Sequence, residues 1–386
     1  MIWDQLDAEL ADMAAQGLQR VRRVLDSPAG IEVNVDGRSL LSFCSNDYLG
    51  LATEPALIEA ARSAASRWGV GSGSSHLVGG HLAPHDVLEQ RLAAFVGSAR
   101  ALYFSTGYMA NLGVVPTLVG RGDAVFADRL NHASLIDAAQ LSRADHIRYP
   151  HNDLATLERQ LAASSATRKL IVTDAVFSMD GDLALLPQLL ELAQRFDAWL
   201  VVDDAHGFGV LGPKGRGTLA HAGIDLGAHP RLLYIGTLGK AAGVSGAFVA
   251  GAANIIEWLM QRARTYIFTT AASPIVAATL IKSLELIEEG DARRTHLGVL
   301  INHLQDGLKS TRWQLMPSRT AIQPIIIGDN EATLQCAAAL AEQGIWVAAI
   351  RPPTVPKGTA RLRITLSAAH HLEQVDRLLA ALRQVQ

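Results

Sequence analysis

The sequence has little charge, few aromatic side chains and almost no cysteine. Of 386 residues, 18% are charged, 5% are aromatic and two are cysteine, and the formal net charge is −3. The low charge excludes a disordered, solvating chain. Without a positive excess, nothing suggests that the chain binds nucleic acid. Cys44 and Cys336 lie far apart and form no disulfide framework, although they could pair in principle, so a reducing compartment is favoured.

Long apolar runs are missing as well. No stretch reaches the roughly 18 uninterrupted apolar residues of a membrane span. The N-terminal segment MIWDQLDAELADM is amphipathic and acidic, and it lacks the basic start and apolar run of an export signal. We therefore expect a cytoplasmic protein with no membrane partner.

The first fifty residues predict a helix followed by a hairpin. Helical spacing is found over residues 3–26, where an apolar stripe comprises Leu6, Leu10, Met13 and Leu18. Residues 31–43 alternate on either side of an Asp36-Gly37 pair, which favours a tight hairpin turn.

The central part of the chain alternates helical segments with short apolar runs. Apolar residues make up 49% of the sequence, enough to bury a large core in two or three units. Runs that are apolar on both faces are typical of parallel strands between helices, and their alternation with helices predicts an α/β fold. These runs are residues 101–104, 124–128, 169–177, 199–205, 231–238 and 246–251.

The pattern changes after Pro274. A long helix is predicted for Ile275–Glu289, strands of a smaller sheet for 321–329 and 344–368, and a final helix for 371–386. We predict three parts: an N-terminal helix and hairpin arm (1–45), a large domain (46–285) and a small C-terminal domain (286–386).

Candidate catalytic groups follow two successive predicted strands. Asp203 and Asp204 end one strand just before His206, and Lys240 follows the next strand among small residues. Ligands of open α/β sheets bind at the carboxyl ends of strands. A poorly solvated carboxylate there needs a cationic partner, and a desolvated lysine can form a Schiff base. Pyridoxal phosphate (PLP) needs both groups, together with an anion site for its phosphate.

The candidate anion site is the segment FSTGYMAN (104–111), which opens a predicted helix. Helix N-termini offer N–H groups to anions, and Gly107 lets the backbone approach closely. Thr237 adds a hydroxyl, while His132 and Ser178 follow two further strands. Each residue alone is more often a helix cap or a loop residue. Their occurrence together at strand ends therefore carries the prediction.

Seven segments, in order along nearly the whole chain, resemble the α-oxoamine synthase family. The resemblance implies PLP-dependent transferase fold type I, an α/β fold. Its large domain has a mostly parallel seven-stranded sheet between helices, and its smaller C-terminal domain is α+β. The segments are SNDYLGL (45–51), FSTGYMAN (104–111), DRLNHASL (128–135), VFSMDGD (176–182), VVDDAHGFGVLG (201–212), GTLGK (236–240) and PPTVPKGTARLRIT (352–365).

The same resemblance implies catalytic roles for Lys240, His132, Asp203 and His206. Lys240 holds PLP and serves as the acid and base at the amino acid's α-carbon, and Asp203 binds the pyridinium nitrogen. His132 stacks on the ring and borders the substrate. The remaining cofactor contacts fall to His206 and Ser178 at the ring oxygen and to Gly107, Tyr108 and Thr237 at the phosphate.

Further roles concern the substrates and the assembly. Arg363 is expected to clamp the amino acid's carboxylate, although Arg361 faces the same side of its strand and the choice stays open. Asn46 lies near the substrate. Arg20 and Thr354 help to place the acyl group. In this family Thr269 or Thr270 reaches the other subunit's phosphate, which implies a homodimer, and no metal is implied.

The implied reaction is a decarboxylating condensation of an amino acid with an acyl thioester. RPPTVPKGTARLR (351–363) and GLQRVRR (17–23) most resemble the member that joins L-alanine to a pimeloyl thioester in biotin biosynthesis. The donor is pimeloyl-CoA or pimeloyl-ACP, the latter with a transient acyl-carrier protein contact. The alternatives are a sister synthase, a plain aminotransferase, a non-catalytic PLP-binding protein and an α/β nucleotide-binding protein.

One departure from the family lies in GSGSSHLVGG (71–80), where Ser74 replaces a usual glycine. Serine is less free than glycine at positive φ, so the geometry of this loop is open. The segment also lacks the third glycine and the strand–helix context of a dinucleotide-binding fingerprint.

Overall fold

The computed structural model describes residues 2–385 and divides the chain into two compact units. Unit 1 comprises the chain up to Gly50, the segment Met179–Asp182 and the chain from Thr295 onward. Unit 2 comprises Leu51–Ser178 and Leu183–Arg294. The three-part division at residues 45 and 285 stays a prediction.

Thirteen strands are found in the described residues. They are β1 (Glu32–Val35), β2 (Arg38–Ser42), β3 (Arg100–Phe104), β4 (Ala124–Asp128), β5 (Asp145–Tyr149), β6 (Lys169–Asp174), β7 (Trp199–Asp203), β8 (Leu232–Thr237), β9 (Ala247–Gly251), β10 (Ile322–Gly328), β11 (Ile345–Trp346), β12 (Ala348–Ile350) and β13 (Ala360–Thr365).

Fourteen α-helices accompany them in the same part of the chain. They are α1 (Ile2–Ala15), α2 (Pro55–Trp68), α3 (Ala83–Val96), α4 (Gly107–Leu118), α5 (Ala133–Ser142), α6 (Leu154–Ala163), α7 (Leu186–Arg195), α8 (Thr218–His221), α9 (Ala253–Arg262), α10 (Arg264–Ile267), α11 (Pro274–Glu288), α12 (Asp291–Leu308), α13 (Asn330–Glu342) and α14 (Leu372–Gln384). None of the helices in residues 2–385 combines the length and the apolarity needed to cross a bilayer.

Unit 2 is built on a seven-stranded sheet in the order β3-β9-β8-β7-β6-β4-β5. All six predicted strands are present. The apolar runs owe their character to burial on both faces, as at Ile171, Val172 and Val201, which have no exposed surface. Fully burying one such side chain contributes roughly 1.5–3 kcal/mol.

The direction of one strand differs from the sequence prediction. β9 pairs antiparallel with both β3 and β8, whereas β4, β5, β6, β7 and β8 pair in parallel. Burial on both faces produces the same apolar run in either direction, so the sequence pattern could not show this reversal.

Unit 1 contains two three-stranded sheets, in the orders β1-β2-β11 and β10-β13-β12. The predicted hairpin is confirmed. Its turn residues Asp36 and Gly37 have φ values of 51° and 78°, which the tight primed turn requires. The final helix, predicted for 371–386, is α14; Gln386 lies outside the described residues.

The first helix is shorter than predicted. α1 ends at Ala15, and the chain from Leu18 to Val24 has no regular structure. Gly17 has a φ of 64°, and the N–H groups of Gly17 and Leu18 donate to the carbonyls of Ala14 and Met13. This pair of bonds is the Schellman arrangement that ends helices at a left-handed glycine. The apolar stripe therefore stops before Leu18.

Candidate active site

Asp203 lies at the carboxyl end of β7 and is almost fully buried. Its Oδ2 accepts a hydrogen bond of 2.7 Å from Asn111 Nδ2 on α4, and its Oδ1 accepts one from the Ala205 N–H. The burial of the strand end and these two donors fix the carboxylate in one orientation. Such a held carboxylate suits a cationic ring nitrogen.

A chain of hydrogen bonds runs from Asp203 to His132. Asn111 Nδ2 also donates to Ser134 Oγ at 2.8 Å, and this hydroxyl lies 2.7 Å from His132 Nδ1. The His132 N–H donates to Asp174 Oδ2 at 2.6 Å. The backbone and ring of His132 are thus both anchored, although the residue as a whole is exposed.

The charges around His132 act on its pKa in both directions. Desolvation lowers the pKa of His132, the Asp203 carboxylate raises it and the Lys240 ammonium lowers it. Burial, followed by the nearby Asp203 charge, raises the pKa of Asp174 well above its ordinary value. The charges of Asp203 and Lys240 therefore both act on the His132 ring, within unit 2.

The second carboxylate of the Asp203-Asp204 pair has a structural role. Asp204 is fully buried and accepts hydrogen bonds from Thr218 N, Thr218 Oγ1 and Tyr234 Oη. Burial raises its pKa to about 6, against these hydrogen bonds, which lower it. Asp204 ties β7, β8 and α8 together, so Asp203 remains the candidate carboxylate for a ligand.

Lys240 follows β8 and is half-buried. Its Nζ lies 2.9 Å from Nε2 of the buried His206. The structure therefore brings together the two residues that the sequence placed after successive strands.

The predicted anion site is a narrow cradle at the start of α4. Thr106 caps the helix by accepting a bond from the Met109 N–H, which leaves the N–H groups of Gly107 and Tyr108 without a partner inside the helix. A Cβ atom on Gly107 would lie 2.9 Å from Thr237 Oγ1. The two N–H groups and the Thr237 hydroxyl thus border one small space.

Two predicted cofactor contacts lie at the edge of this region. Ser178 follows β6 as the last residue of that segment of unit 2, and it is half-buried. The Tyr108 side chain is 42% exposed, donates its hydroxyl proton to Asp137 and packs edge-on to the His132 ring.

The two candidate arginines of β13 lie in unit 1 and have different partners. Arg361 forms an ion pair with Asp180 and donates to the Met179 carbonyl. Arg363 donates to the neutral oxygens Asn46 Oδ1, at 3.2 Å, and Thr365 Oγ1, at 3.0 Å. Both guanidinium groups are buried.

The remaining predicted residues lie on exposed segments. Arg20 follows α1, and Thr354 lies in the loop between β12 and β13, both in unit 1. Thr269 and Thr270 follow α10 in unit 2, and Thr269 borders a groove of about 880 Å³. The groove is lined further by Leu112, Leu141, Arg143, Arg264 and the exposed Phe268.

Sequence reasoning missed Asn111, Ser134 and Asp174. Asn111 lies four residues after Gly107, on the same face of α4, and Asp174 ends a strand next to the strand that ends at Asp203. These spacings were visible in the sequence. The hydrogen bonds that connect the three residues were not.

Comparison with known proteins identifies related sequences and folds. The aminotransferase class I and II family matches residues 38–382. The 8-amino-7-oxononanoate synthase of Herminiimonas arsenicoxydans is 75% identical, with both chains covered completely.

Two solved structures are similar along most of the chain. A serine palmitoyltransferase variant from S. paucimobilis with a bound PLP–myriocin aldimine is 30% identical, with a TM-score of 0.93 over 99% of this chain and 97% of that one. The 8-amino-7-oxononanoate synthase from Francisella tularensis is 30% identical, with a TM-score of 0.78 over 89% of this chain and 97% of that one.

Proposed function

We propose, from the premise that the chain belongs to the aminotransferase class I and II family, that it is an 8-amino-7-oxononanoate synthase. It condenses L-alanine with a pimeloyl thioester and releases CO2 and the free carrier thiol. The product, 8-amino-7-oxononanoate, serves biotin biosynthesis. One observation carries this proposal: Lys240 Nζ contacts His206 Nε2, and Asp203 is held by Asn111, in a chain that is so similar to these enzymes.

The residues present fit PLP, the cofactor of this enzyme. Lys240 supplies the amine for its aldehyde, and Asp203 supplies a fixed carboxylate for its ring nitrogen. The narrow cradle between Gly107 and Thr237 fits a phosphate, because a side chain at Gly107 would fill it. We assign His132, an exposed residue, to stack on the ring, and we assign the ring oxygen to His206 and Ser178.

When bound, PLP supplies an electron sink for negative charge that develops at the amino acid's α-carbon. Asp203 keeps the ring nitrogen protonated, since a buried carboxylate beside it favours the cationic form. Lys240 Nζ removes the α-proton and later returns one, as a general base and then a general acid. His206, 2.9 Å from Nζ, orients the amine for these transfers.

The substrate residues are assigned within unit 1. We assign the carboxylate of L-alanine to Arg363, because the ion pair with Asp180 already neutralises Arg361. Arg363 donates to the uncharged oxygens of Asn46 and Thr365. A guanidinium holds a carboxylate through two parallel hydrogen bonds. Arg20 and Thr354, both on exposed segments, are assigned to the acyl donor.

The proposal extends to the assembly and the compartment. We propose a cytoplasmic homodimer in which Thr269 or Thr270 of one subunit reaches the phosphate held by the other. The position of Thr269 at the groove beside the exposed Phe268 supports this assignment. The acyl donor is the acyl-carrier protein thioester or the CoA thioester, and comparing kcat/KM for the two donors decides between them.

A direct assay tests the proposed reaction. Purified protein loaded with PLP and given L-alanine and pimeloyl-CoA is expected to release CO2 and form the aminoketone in equal amounts, which mass spectrometry measures. Glycine with a short acyl-CoA serves as the competing substrate pair. Much faster turnover of that pair would overturn the assignment in favour of a sister synthase.

A further inference from the structure

Three histidines meet in unit 2 in a cluster that the proposed reaction does not use. His76 opens a π-helical turn (His76–Gly80), His81 follows it, and His85 lies in the first turn of α3. One ring nitrogen from each of the three lies within 4.8 Å of the others. His76 and His85 are buried and His81 is half-buried, so an ion could enter from the side of His81.

The closest pair of nitrogens has the spacing of neighbouring metal ligands. His76 Nδ1 and His81 Nδ1 are 2.8 Å apart. With metal–nitrogen bonds of about 2.0–2.1 Å, two ligands at a right angle lie about 2.9 Å apart, and two at the tetrahedral angle about 3.3 Å. The observed spacing therefore matches the right angle that Cu²⁺ and Ni²⁺ adopt with nitrogen ligands.

The surrounding residues hold the His76 ring, the His85 ring and the turn between His76 and His81 in place. The His76 ring stacks on Tyr266, with centroids 4.7 Å apart. His85 accepts a bond from the Leu82 N–H through Nδ1 and donates to the Ala272 carbonyl through Nε2. A Cβ on Gly80 would lie 1.9 Å from Ser74 O, so the turn between the two rings is tightly packed. Pre-organised ligands of this kind lose little entropy on binding.

Burial and neighbouring charges act on the pKa of both rings. Burial, reinforced by the two other histidines, lowers the pKa of His76 to about 3. Burial also lowers the pKa of His81, against the nearby Asp86 carboxylate, which raises it. The Asp86 carboxylate supplies negative charge for a cation beside His81.

We propose that His76 and His81 form a site for a divalent ion of the copper or nickel type, which binds both Nδ1 atoms. His85 is a positioning residue that fixes α3 and the turn around them. When the ion binds, it replaces the one proton that the two nitrogens share. That proton moves to Nε2 of the donor ring, so no oxidant or reductant is needed.

Copper binding to the PLP-loaded enzyme tests the site. Protein freed of metal by a chelator and then desalted is dialysed against Cu²⁺, and bound copper is counted by mass spectrometry. We expect one copper ion per chain to bind with the higher affinity. The electron paramagnetic resonance spectrum of that ion should show coupling to at least two nitrogens. The variant His81→Gln removes one of the two ligands and should weaken copper binding at least about tenfold.

The control variant is His221→Gln, because His221 is an exposed histidine of α8 outside the cluster. It should bind copper like the unaltered protein. Equal copper affinity in His81→Gln and the unaltered protein would overturn the proposal. The proposal would also be overturned if the high-affinity copper ion of the unaltered protein showed no nitrogen coupling. That result does not depend on the folding of any variant. Neither result bears on the synthase reaction, which uses other residues.

Discussion

At the scale of single residues, Asp203 and Asp204 show what the sequence pattern could and could not tell. Asp203 is the last residue of the buried strand β7 and Asp204 follows it directly, so the pattern correctly placed both at a strand end. Their different roles depend on hydrogen-bond partners that lie elsewhere in the sequence. Asn111 donates to Asp203, whereas Thr218 and Tyr234 donate to Asp204. Only the fold brings these partners together.

The Asn111 contact makes the first prediction. Replacing Asn111 with Leu removes a hydrogen bond to a buried carboxylate, which is worth about 1.5–3 kcal/mol. We expect kcat/KM for L-alanine and the affinity for PLP each to fall about 10- to 100-fold. Steady-state kinetics and PLP titration measure both, with the exposed Asn302→Leu as control. Unchanged PLP affinity in Asn111→Leu would remove Asn111 from the site.

The raised pKa of Asp204 makes the second prediction. Burial raises it from 3.8 to about 6, so the folded protein holds this proton more tightly than the unfolded chain does. The free energy of unfolding should therefore fall as the pH rises from about 4 to about 6, by up to about 3 kcal/mol from this group.

The variant Asp204→Asn cannot ionise and should lack this part of the pH dependence. Urea unfolding at several pH values measures the difference between the two proteins. The variant is expected to be less stable at every pH, because an amide oxygen cannot replace a carboxylate that accepts three bonds. Parallel pH profiles for the two proteins would contradict the raised pKa.

The two arginines of β13 make the third prediction. Arg363→Lys loses the planar fork that binds a carboxylate, so the KM for L-alanine should rise at least about tenfold while the KM for the thioester stays nearly constant. Arg361→Lys weakens the buried ion pair with Asp180 and should lower the thermal midpoint instead. If Arg361→Lys alone raised the alanine KM, the two roles would be exchanged.

At the scale of secondary-structure elements, burial decided which strands the sequence revealed. The six buried strands of the large sheet were predicted, whereas β5 was missed. β5 pairs with β4 at the edge of the sheet, and four of its five residues are at least partly exposed, so its sequence DHIRY lacks an apolar run. An edge strand is solvated along one side and need not be apolar.

The backbone conformation explains why the loop of residues 71–80 tolerates Ser74. Gly73 has a φ of 70°, whereas Ser74 is not among the residues at positive φ. Its carbonyl accepts a bond from the Ala271 N–H at 3.0 Å. The serine therefore replaces glycine at a position that imposes no backbone strain.

The start of α4 makes the fourth prediction. Gly107→Ala would place a methyl group 2.9 Å from Thr237 Oγ1, which is closer than normal contact, so the affinity for PLP should fall at least about tenfold. The matched control is Gly298→Ala in α12, where nothing lies within 4 Å of the added carbon. That change should leave PLP affinity unaltered and stabilise the protein by about 0.5–1 kcal/mol. Equal PLP affinities in both variants would rule out the cradle as the phosphate site.

At the scale of the whole molecule, the family resemblance proved the strongest sequence signal. The predicted fold, cofactor and reaction class are confirmed by the family match and by the relatives. The motifs carry this information because the reaction needs particular side chains at the ends of several strands. The residue roles, the homodimer and the three-part division stay predictions.

The assembly makes the fifth prediction. Light scattering after size-exclusion chromatography should give twice the chain mass. Phe268 is 69% exposed beside Thr269 and Thr270, so Phe268→Glu should shift the protein toward the monomer and lower its activity. Val299→Glu, at a 47% exposed position in α12, is the control. A monomeric unaltered protein with full activity would exclude the shared site.

The central claim is that Lys240 holds PLP, and reduction with borohydride tests it most directly. The holoprotein is reduced, digested and mapped by mass spectrometry, with Lys240→Ala and the exposed Lys214→Ala treated in parallel. We predict that the reduced cofactor is attached at Lys240, that Lys240→Ala loses both the adduct and turnover, and that Lys214→Ala keeps both. An adduct at another lysine, or full activity in Lys240→Ala, would contradict the account.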